Sequence, residues 1–287
     1  MVLTMFYNKL GDSITTIIID LDGVVWRLNE LILGARDAIT TLRKEGYKIV
    51  FLTNNSGMSR QQILTKLNSV NIVASIDEIL SSPNTTAQYV SSLSPQAKIL
   101  MIGSAGLKTE ILNAGLTVTD NPLEADFLIA GFDNSLSYEK LEKALQALLN
   151  GAGFIATNDD GMLPTETGYR PGAGAIIGAI TGMIKRPPDV IVGKPNEVII
   201  RQALKNMGVV IPRAVIVGDS LGTDVQLAKN IGMRSILVLT GNTRSLNEIE
   251  ASNNIPDFII NSLADLPNLL MKAETDSENF AAVTIQH

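Results

Sequence analysis

Short apolar runs alternate with amphipathic stretches along nearly the whole chain. The runs Ile17–Ile19, Ile49–Leu52, Ile99–Ile102, Phe127–Ala130 and Phe154–Ala156 read as buried strands. So do Val190–Val192, Ala214–Val217, Ser235–Leu239 and Phe258–Ile260, because continuous apolar segments of this length suit parallel strands covered on both faces. Helices are expected between them near Ala35–Glu45, Arg60–Ser69, Leu107–Ala114, Tyr138–Leu149, Glu197–Met207 and Thr223–Ile231. This alternation predicts an α/β fold with a parallel sheet.

Two proline sites punctuate the pattern, Ser81-Ser82-Pro83-Asn84 and Lys185-Arg186-Pro187-Pro188. Proline blocks helix continuation and favours extended chain. The stretch between them is about 100 residues, enough for a domain of its own. The expected organisation is therefore a core built from residues 1–82 and 189–287, with 83–188 inserted. A single large sheet with two proline loops is the competing arrangement.

Four polar clusters each follow a predicted strand. Asp20-Leu21-Asp22-Gly23 ends the first, where open α/β sheets bind ligands. Asp20 and Asp22 share a face for as long as the strand persists. Two carboxylates so close repel unless a cation or a shared proton offsets the charge, and one could attack while the other moves protons. The same residues also suit a plain strand-end turn. Thr53-Asn54-Asn55-Ser56-Gly57 offers a hydroxyl, amides and backbone N–H groups that fit either phosphate oxygens or a helix cap. In Gly193-Lys194-Pro195 the lysine suits a phosphate or a carboxylate pair, or lies in a surface turn. In Gly218-Asp219-Ser220-Leu221-Gly222-Thr223-Asp224, Asp219 could hold a cation with Asp224 in support, or the segment caps the next helix. Taken together, carboxylates, hydroxyl, amides and one lysine make an oxygen-rich set suited to Mg²⁺ and a phosphate.

Composition narrows the chemistry. The chain has 287 residues, 45% of them hydrophobic and 18% charged, so it can bury a sizeable core. It has no cysteine and one histidine, His287 at its end. Disulfides, thiolate metal sites, cysteine nucleophiles and Ser-His-Asp triads are thereby excluded, leaving Asp, Glu, Lys or Tyr for acid–base work. A net charge of −6 without a long basic run argues against a nucleic-acid partner. No apolar stretch is long enough to span a bilayer, so no membrane partner is expected. Met1–Ser13 does not read as a signal peptide, and the cytoplasm is the expected compartment.

The four ordered motifs resemble those of the haloacid dehalogenase superfamily. Asp22-Gly23-Val24-Val25-Trp26, Gly34-Ala35-Arg36, Ala156-Thr157-Asn158, Arg170-Pro171-Gly172-Ala173-Gly174 and Leu237-Val238-Leu239-Thr240-Gly241 are similar to its NagD and 4-nitrophenyl phosphatase subgroup. The likeness covers most of residues 14–270. It implies a Rossmann-like parallel-sheet core and, over 83–188, a large inserted α/β cap domain.

It also implies a Mg²⁺-dependent phosphatase that works through an aspartyl-phosphate. By position, Asp20 would attack phosphorus, and Asp22 would protonate the leaving oxygen and then activate water. Thr53, Asn54 and Asn55 would hold the phosphoryl oxygens, and Lys194 would offset charge. Asp20, Asp219 and the backbone carbonyl of Asp22 would bind the metal, with Asp224 supporting. Thr157-Asn158-Asp159-Asp160 and the Gly172–Gly174 turn are the candidates for the cap's active-site face, with Asn158 as a substrate contact or as part of a turn. Gly172, Gly174 and Gly178 miss the dinucleotide spacing and read as close packing. Trp26 would line the entrance or pack in the core.

The partner expected is a small phosphorylated metabolite, and the oligomer the resemblance implies is a homodimer through the cap. Two other readings keep the same residues: a phosphotransferase to an acceptor other than water, and a silent phosphate-binding regulator. Ser220 and Gly222 depart from the charged or larger residues common in the subgroup, which bears on the surroundings of the metal more than on Asp219.

Overall fold

The computed structural model describes residues 14–275. Met1–Ser13 and His287, on which two expectations fall, lie outside the described residues.

The strands in chain order begin with β1 (Thr16–Asp20), β2 (Trp26–Arg27), β3 (Glu30–Leu31), β4 (Lys48–Thr53) and β5 (Ile79–Ser81). Next come β6 (Lys98–Ile102), β7 (Thr117–Val118), β8 (Phe127–Ala130), β9 (Gly153–Ala156), β10 (Met162–Thr165) and β11 (Gly168–Pro171). The last are β12 (Val190–Ile191), β13 (Ala214–Gly218), β14 (Arg234–Val238) and β15 (Phe258–Ile260). The helices are α1 (Ala35–Lys44), α2 (Arg60–Ser69), α3 (Ser82–Leu93), α4 (Ala105–Asn113) and α5 (Tyr138–Leu149). They continue with α6 (Ala173–Ile184), α7 (Val198–Asn206), α8 (Gln226–Ile231), α9 (Leu246–Glu250) and α10 (Leu266–Thr275).

The chain forms two compact units, Leu52–Met207 and the segments that flank it. In the flanking unit the strand order is β15-β14-β13-β1-β4, and β1, β13, β14 and β15 pair in parallel. Every residue of β1 and β13 is buried, which explains their unbroken apolar character. The chain leaves β1 toward β4 on one side and returns to β13 on the other. That reversal is the switch point where open α/β sheets bind ligands, outside the carboxyl ends of their strands. α1 buries Ala35, Ala38, Ile39 and Leu42, the spacing of one helix face.

The division between the units falls within β4, and β5 belongs to the second. The second unit also holds a parallel sheet of order β12-β9-β8-β6-β7. Alternate residues of its strands enter two separate cores. Leu100, Ile102, Leu128, Ala130, Phe154 and Ala156 pack with Ala144, Ala147, Ile176 and Ile180 of α5 and α6. Ile99, Ile129 and Ile155 pack with Ala87, Val90, Leu107 and Ile111 of α3 and α4. The period-two side-chain pattern thus feeds both faces, and helices cover each.

Three sequence expectations change. Ser81–Asn84 is not a linker: Ser81 caps α3 and Pro83 sits in its first turn, where a missing N–H costs little. Lys185–Pro188 joins α6 to β12, and Val190 and Ile191 pair with Ile155 and Ala156. The segment expected to start the returning core therefore closes the second sheet. Gly172 and Gly174 do pack closely against the Asp159–Asp160 backbone, but they open helix α6 rather than a free turn, and Gly178 has open space beside it.

A buried carboxylate ties three helices of the second unit. Glu110, 1% exposed, accepts from the Arg60 backbone N–H at 2.6 Å and the Asn84 amide at 3.1 Å, with Arg60 Nε 3.6 Å away. We predict that Glu110→Ala lowers stability by about 2–3 kcal/mol, because it strands buried donors. The urea midpoint measures this, and an unchanged midpoint contradicts it.

Asp133 follows β8 and accepts from the Ser135 N–H and hydroxyl at 2.8 Å and from Lys140 Nζ at 2.6 Å. Burial opposes its ionisation, but the bonds from Lys140 and Ser135 outweigh it, so its pKa lies below the usual carboxylate value. The resulting stability is complete above the unfolded pKa of about 3.9 and is lost as pH falls through the folded one. The stability gap between wild type and Asp133→Asn should therefore shrink as urea unfolding is followed below about pH 4. A gap that widens in acid would contradict the assignment.

Candidate active site

The flanking unit places three carboxylates at its switch point. Asp20 is the last residue of β1, Asp219 follows β13, and Asp224 lies in the helical turn Leu221–Val225 ahead of α8. They are 5%, 3% and 1% exposed, and each offers an oxygen within 4.8 Å of the others. Glycines make this possible. A Cβ on Gly23 or Gly241 would strike the Asp219 carboxylate, and one on Gly218 would strike Asp224. Gly23 also holds a φ of +86°, which side chains resist.

Hydrogen bonds aim the acids. The Asn242 N–H donates to Asp219 Oδ2 at 2.6 Å, and the Ser220 N–H to Asp224 Oδ2 at 3.2 Å. The Thr240 hydroxyl donates to the Gly23 carbonyl at 2.6 Å, tying the loop after β14 to the turn after β1. Three buried carboxylates this close oppose one another unless a cation or protons intervene. The donors are all hard oxygens in a cradle that a Cβ would fill, so the residues fit a divalent cation of the Mg²⁺ type.

Asp22 stands outside that trio. β1 ends at Asp20, so the face shared by alternate strand residues does not extend to Asp22. Instead the chain curls until the N–H groups of Val24, Val25 and Trp26 all point at the Leu21 carbonyl. Trp26, buried at 2% exposure, donates its indole N–H to Asp22 Oδ1 at 2.9 Å. Of the two expected placements, the core one holds, and from that packed position the indole also orients a half-buried carboxylate. The sequence signal for this bond is a Trp four residues after an acid.

The second unit gathers the other candidates. Lys194 is 3% exposed, so the surface-turn alternative does not hold. Its N–H donates to Asn54 Oδ1 at 2.8 Å, and its carbonyl accepts from Asn54 Nδ2 at 3.0 Å. Thr53 ends β4, and its Oγ1 accepts from the Asn55 N–H at 3.0 Å, while Asn55 Oδ1 accepts from the Gly57 N–H at 2.9 Å. Asn158 Nδ2 donates to the Asn54 carbonyl at 2.9 Å and to Ser56 Oγ at 3.2 Å. Asn158 Oδ1 accepts from the Asp160 N–H at 3.2 Å, so these residues do build a turn. Three serines, Ser56, Ser82 and Ser104, brace this cluster in a way the sequence does not foretell. Ser82 and Ser104 hydroxyls hold the Asn54 and Ser56 carbonyls at 2.8 and 2.9 Å, and Ser56 Oγ accepts from the Phe132 N–H at 3.0 Å. Ser56 lies in the Thr53–Gly57 cluster, whereas Ser82 and Ser104 carry no pattern that ties them to it.

Comparison with known proteins agrees with this architecture. Residues 17–117 match the model of haloacid dehalogenase-like hydrolases, and residues 191–266 match a second model of HAD-like hydrolases. The sugar-phosphatase AraL of Bacillus subtilis is 38% identical over 253 residues, covering 88% of this chain and 92% of the relative. The 5'-nucleotidase YutF of the same organism is 36% identical, covering 79% and 88%. Among solved structures, the p-nitrophenyl phosphatase of Archaeoglobus fulgidus superposes with a TM-score of 0.86 at 39% identity, covering 89% and 99%. The chain belongs to the haloacid dehalogenase superfamily, in its NagD-like and p-nitrophenyl phosphatase-like subgroup, and is a phosphoric monoester hydrolase.

Proposed function

We propose that the chain hydrolyses small-molecule phosphate monoesters with Mg²⁺, through a phosphoryl group carried on Asp20. The observation that carries this reading is the buried trio Asp20, Asp219 and Asp224 in its glycine cradle. Asp20, Asp219 and the Asp22 carbonyl would hold the ion, with Asp224 beside them. When bound, Mg²⁺ would offset the charge of the nucleophile and of the transferring group.

The residues then divide the work. An Asp20 oxygen attacks phosphorus and the bond to the ester oxygen breaks. Asp22 gives that oxygen its proton, which an alkoxide leaving group needs. Asp22, now a carboxylate, takes a proton from water, whose oxygen attacks the phosphorus and frees Asp20. The Trp26 indole keeps Asp22 in one orientation for both transfers. The Thr53 hydroxyl, the Asn54 backbone N–H and the Lys194 ammonium would hold the phosphoryl oxygens, while the Asn55 N–H, bonded to Thr53 Oγ1, would orient that hydroxyl. A chain with no histidine before position 287 supports an aspartate in the acid–base role.

The names of the relatives favour sugar phosphates and nucleoside monophosphates as the metabolites to screen. A homodimer through the inserted segment remains part of the proposal, and exposed Tyr138, Met162 and Tyr169 offer apolar surface for it. Among the described residues no helix is long and apolar enough to cross a membrane.

Phosphate release from 4-nitrophenyl phosphate is expected with Mg²⁺ and lost with excess chelator. Asp20→Asn should abolish it while leaving the unfolding midpoint near that of wild type. Turnover by Asp20→Asn at the wild-type rate would remove the nucleophile. Asp22→Asn should lower kcat by about 10²-fold or more, the usual worth of a positioned acid–base group. An unchanged kcat would assign the proton transfers elsewhere.

A further inference from the structure

The Asn54 and Asn158 side chains were expected to touch the phosphoryl group or the substrate, yet both carboxamides are committed to the protein. We infer that they are positioning residues that set Lys194, and that neither side chain contacts substrate. The inference deepens the phosphatase reading and rests on it for the task of Lys194.

A carboxamide has two N–H donors and one acceptor oxygen. The Asn54 donors go to the Lys194 carbonyl at 3.0 Å and Asp160 Oδ1 at 3.3 Å, and its oxygen accepts from the Lys194 N–H at 2.8 Å. No donor is left over for a phosphoryl oxygen. Asn158 gives its donors to the Asn54 carbonyl, Ser56 Oγ and Thr157 Oγ1 at 2.9, 3.2 and 3.2 Å, and its oxygen accepts from the Asp160 N–H. Asn54 and Asn158 are 8% and 2% exposed, so solvent offers little replacement for these partners.

The packing leaves no slack. A Cβ on Gly193 would lie 2.8 Å from Asn54 Oδ1, 2.7 Å from Asn158 Cβ and 2.8 Å from the Thr157 carbonyl. The ends of β4, β9 and β12 are therefore sewn together at the residue before the lysine. One amide that engages both the N–H and the C=O of Lys194 fixes the peptide planes on either side of its Cα. That sets the direction in which the side chain leaves the backbone. Lysine has a long, flexible stem, so a small error at Cα becomes a large one at Nζ. Swinging Asn54 toward a phosphate would instead strand a buried N–H and a buried C=O.

The test is a double-mutant cycle on the full chain with 4-nitrophenyl phosphate, joined to crystal structures of the variants. Asn54→Ala should lower kcat/KM by about 10²-fold, as small misplacements of catalytic groups do. Lys194→Ala should lose more, and the double variant no more than Lys194→Ala alone. In the Asn54→Ala crystal, Lys194 should be displaced. Losses that multiply, or a Lys194 that stays in place, would overturn the inference. If Asn54→Ala does not fold, the same cycle and crystal with Asn158→Ala carry the same two criteria. An inactive wild type would sink the phosphatase reading alone, since the position of Lys194 in the variant crystal is read without turnover.

Discussion

Three buried carboxylates brought within 4.8 Å of one another are the constraint around which the flanking unit is organised. Their mutual repulsion would favour separation or protonation. The backbone denies separation. Asp20 is fixed by a fully buried strand, and Asp219 by the strand that pairs with it, residue for residue, from Thr16↔Ala214 to Ile19↔Val217. Asp224 is fixed by the turn that closes over Gly218. A divalent cation would resolve the conflict without moving the chain, and the glycines at 23, 218 and 241 leave the acids the room they occupy. A side chain at any of them would collide with the acids themselves.

The second unit solves a different problem. It must hold a lysine that is 3% exposed and a loop dense in backbone polar groups, and leave few of them without partners. Asparagines and serines do this because each combines donors and acceptors in a small volume. The result is a polar seam at the strand ends of the second unit, whose five-stranded sheet has apolar cores on both faces. Donors and charges held in place by such bonds can offset developing charge with little reorganisation.

The alternating apolar runs made the α/β class legible, and the four strand-end motifs made most candidate residues legible. Asp20, Asp219 and Asp224 could be grouped because each follows or closely trails an apolar run, and such runs become adjacent parallel strands. What stayed hidden depended on three-dimensional closure. α3 is hidden in the sequence because Ser81–Asn84 reads as a break, although the same residues make a good helix start. The hairpin of β10 and β11 was missed because it is largely exposed and lacks an apolar signature. The tie between Trp26 and Asp22 and the engagement of Asn54 with Lys194 join residue types whose partners cannot be read from spacing. The strand before Lys194 pairs with β9 in the second unit's sheet, a neighbour that an apolar triplet does not announce.

The central claim is that the acidic trio is a divalent-cation site. Calorimetric titration of Mg²⁺ into the full-length protein, wild type beside Asp219→Ala, tests it most directly. The account predicts saturable binding of a single ion per chain in wild type and none at this site in the variant. Equal binding by both proteins, or no binding by wild type at millimolar Mg²⁺, would contradict it.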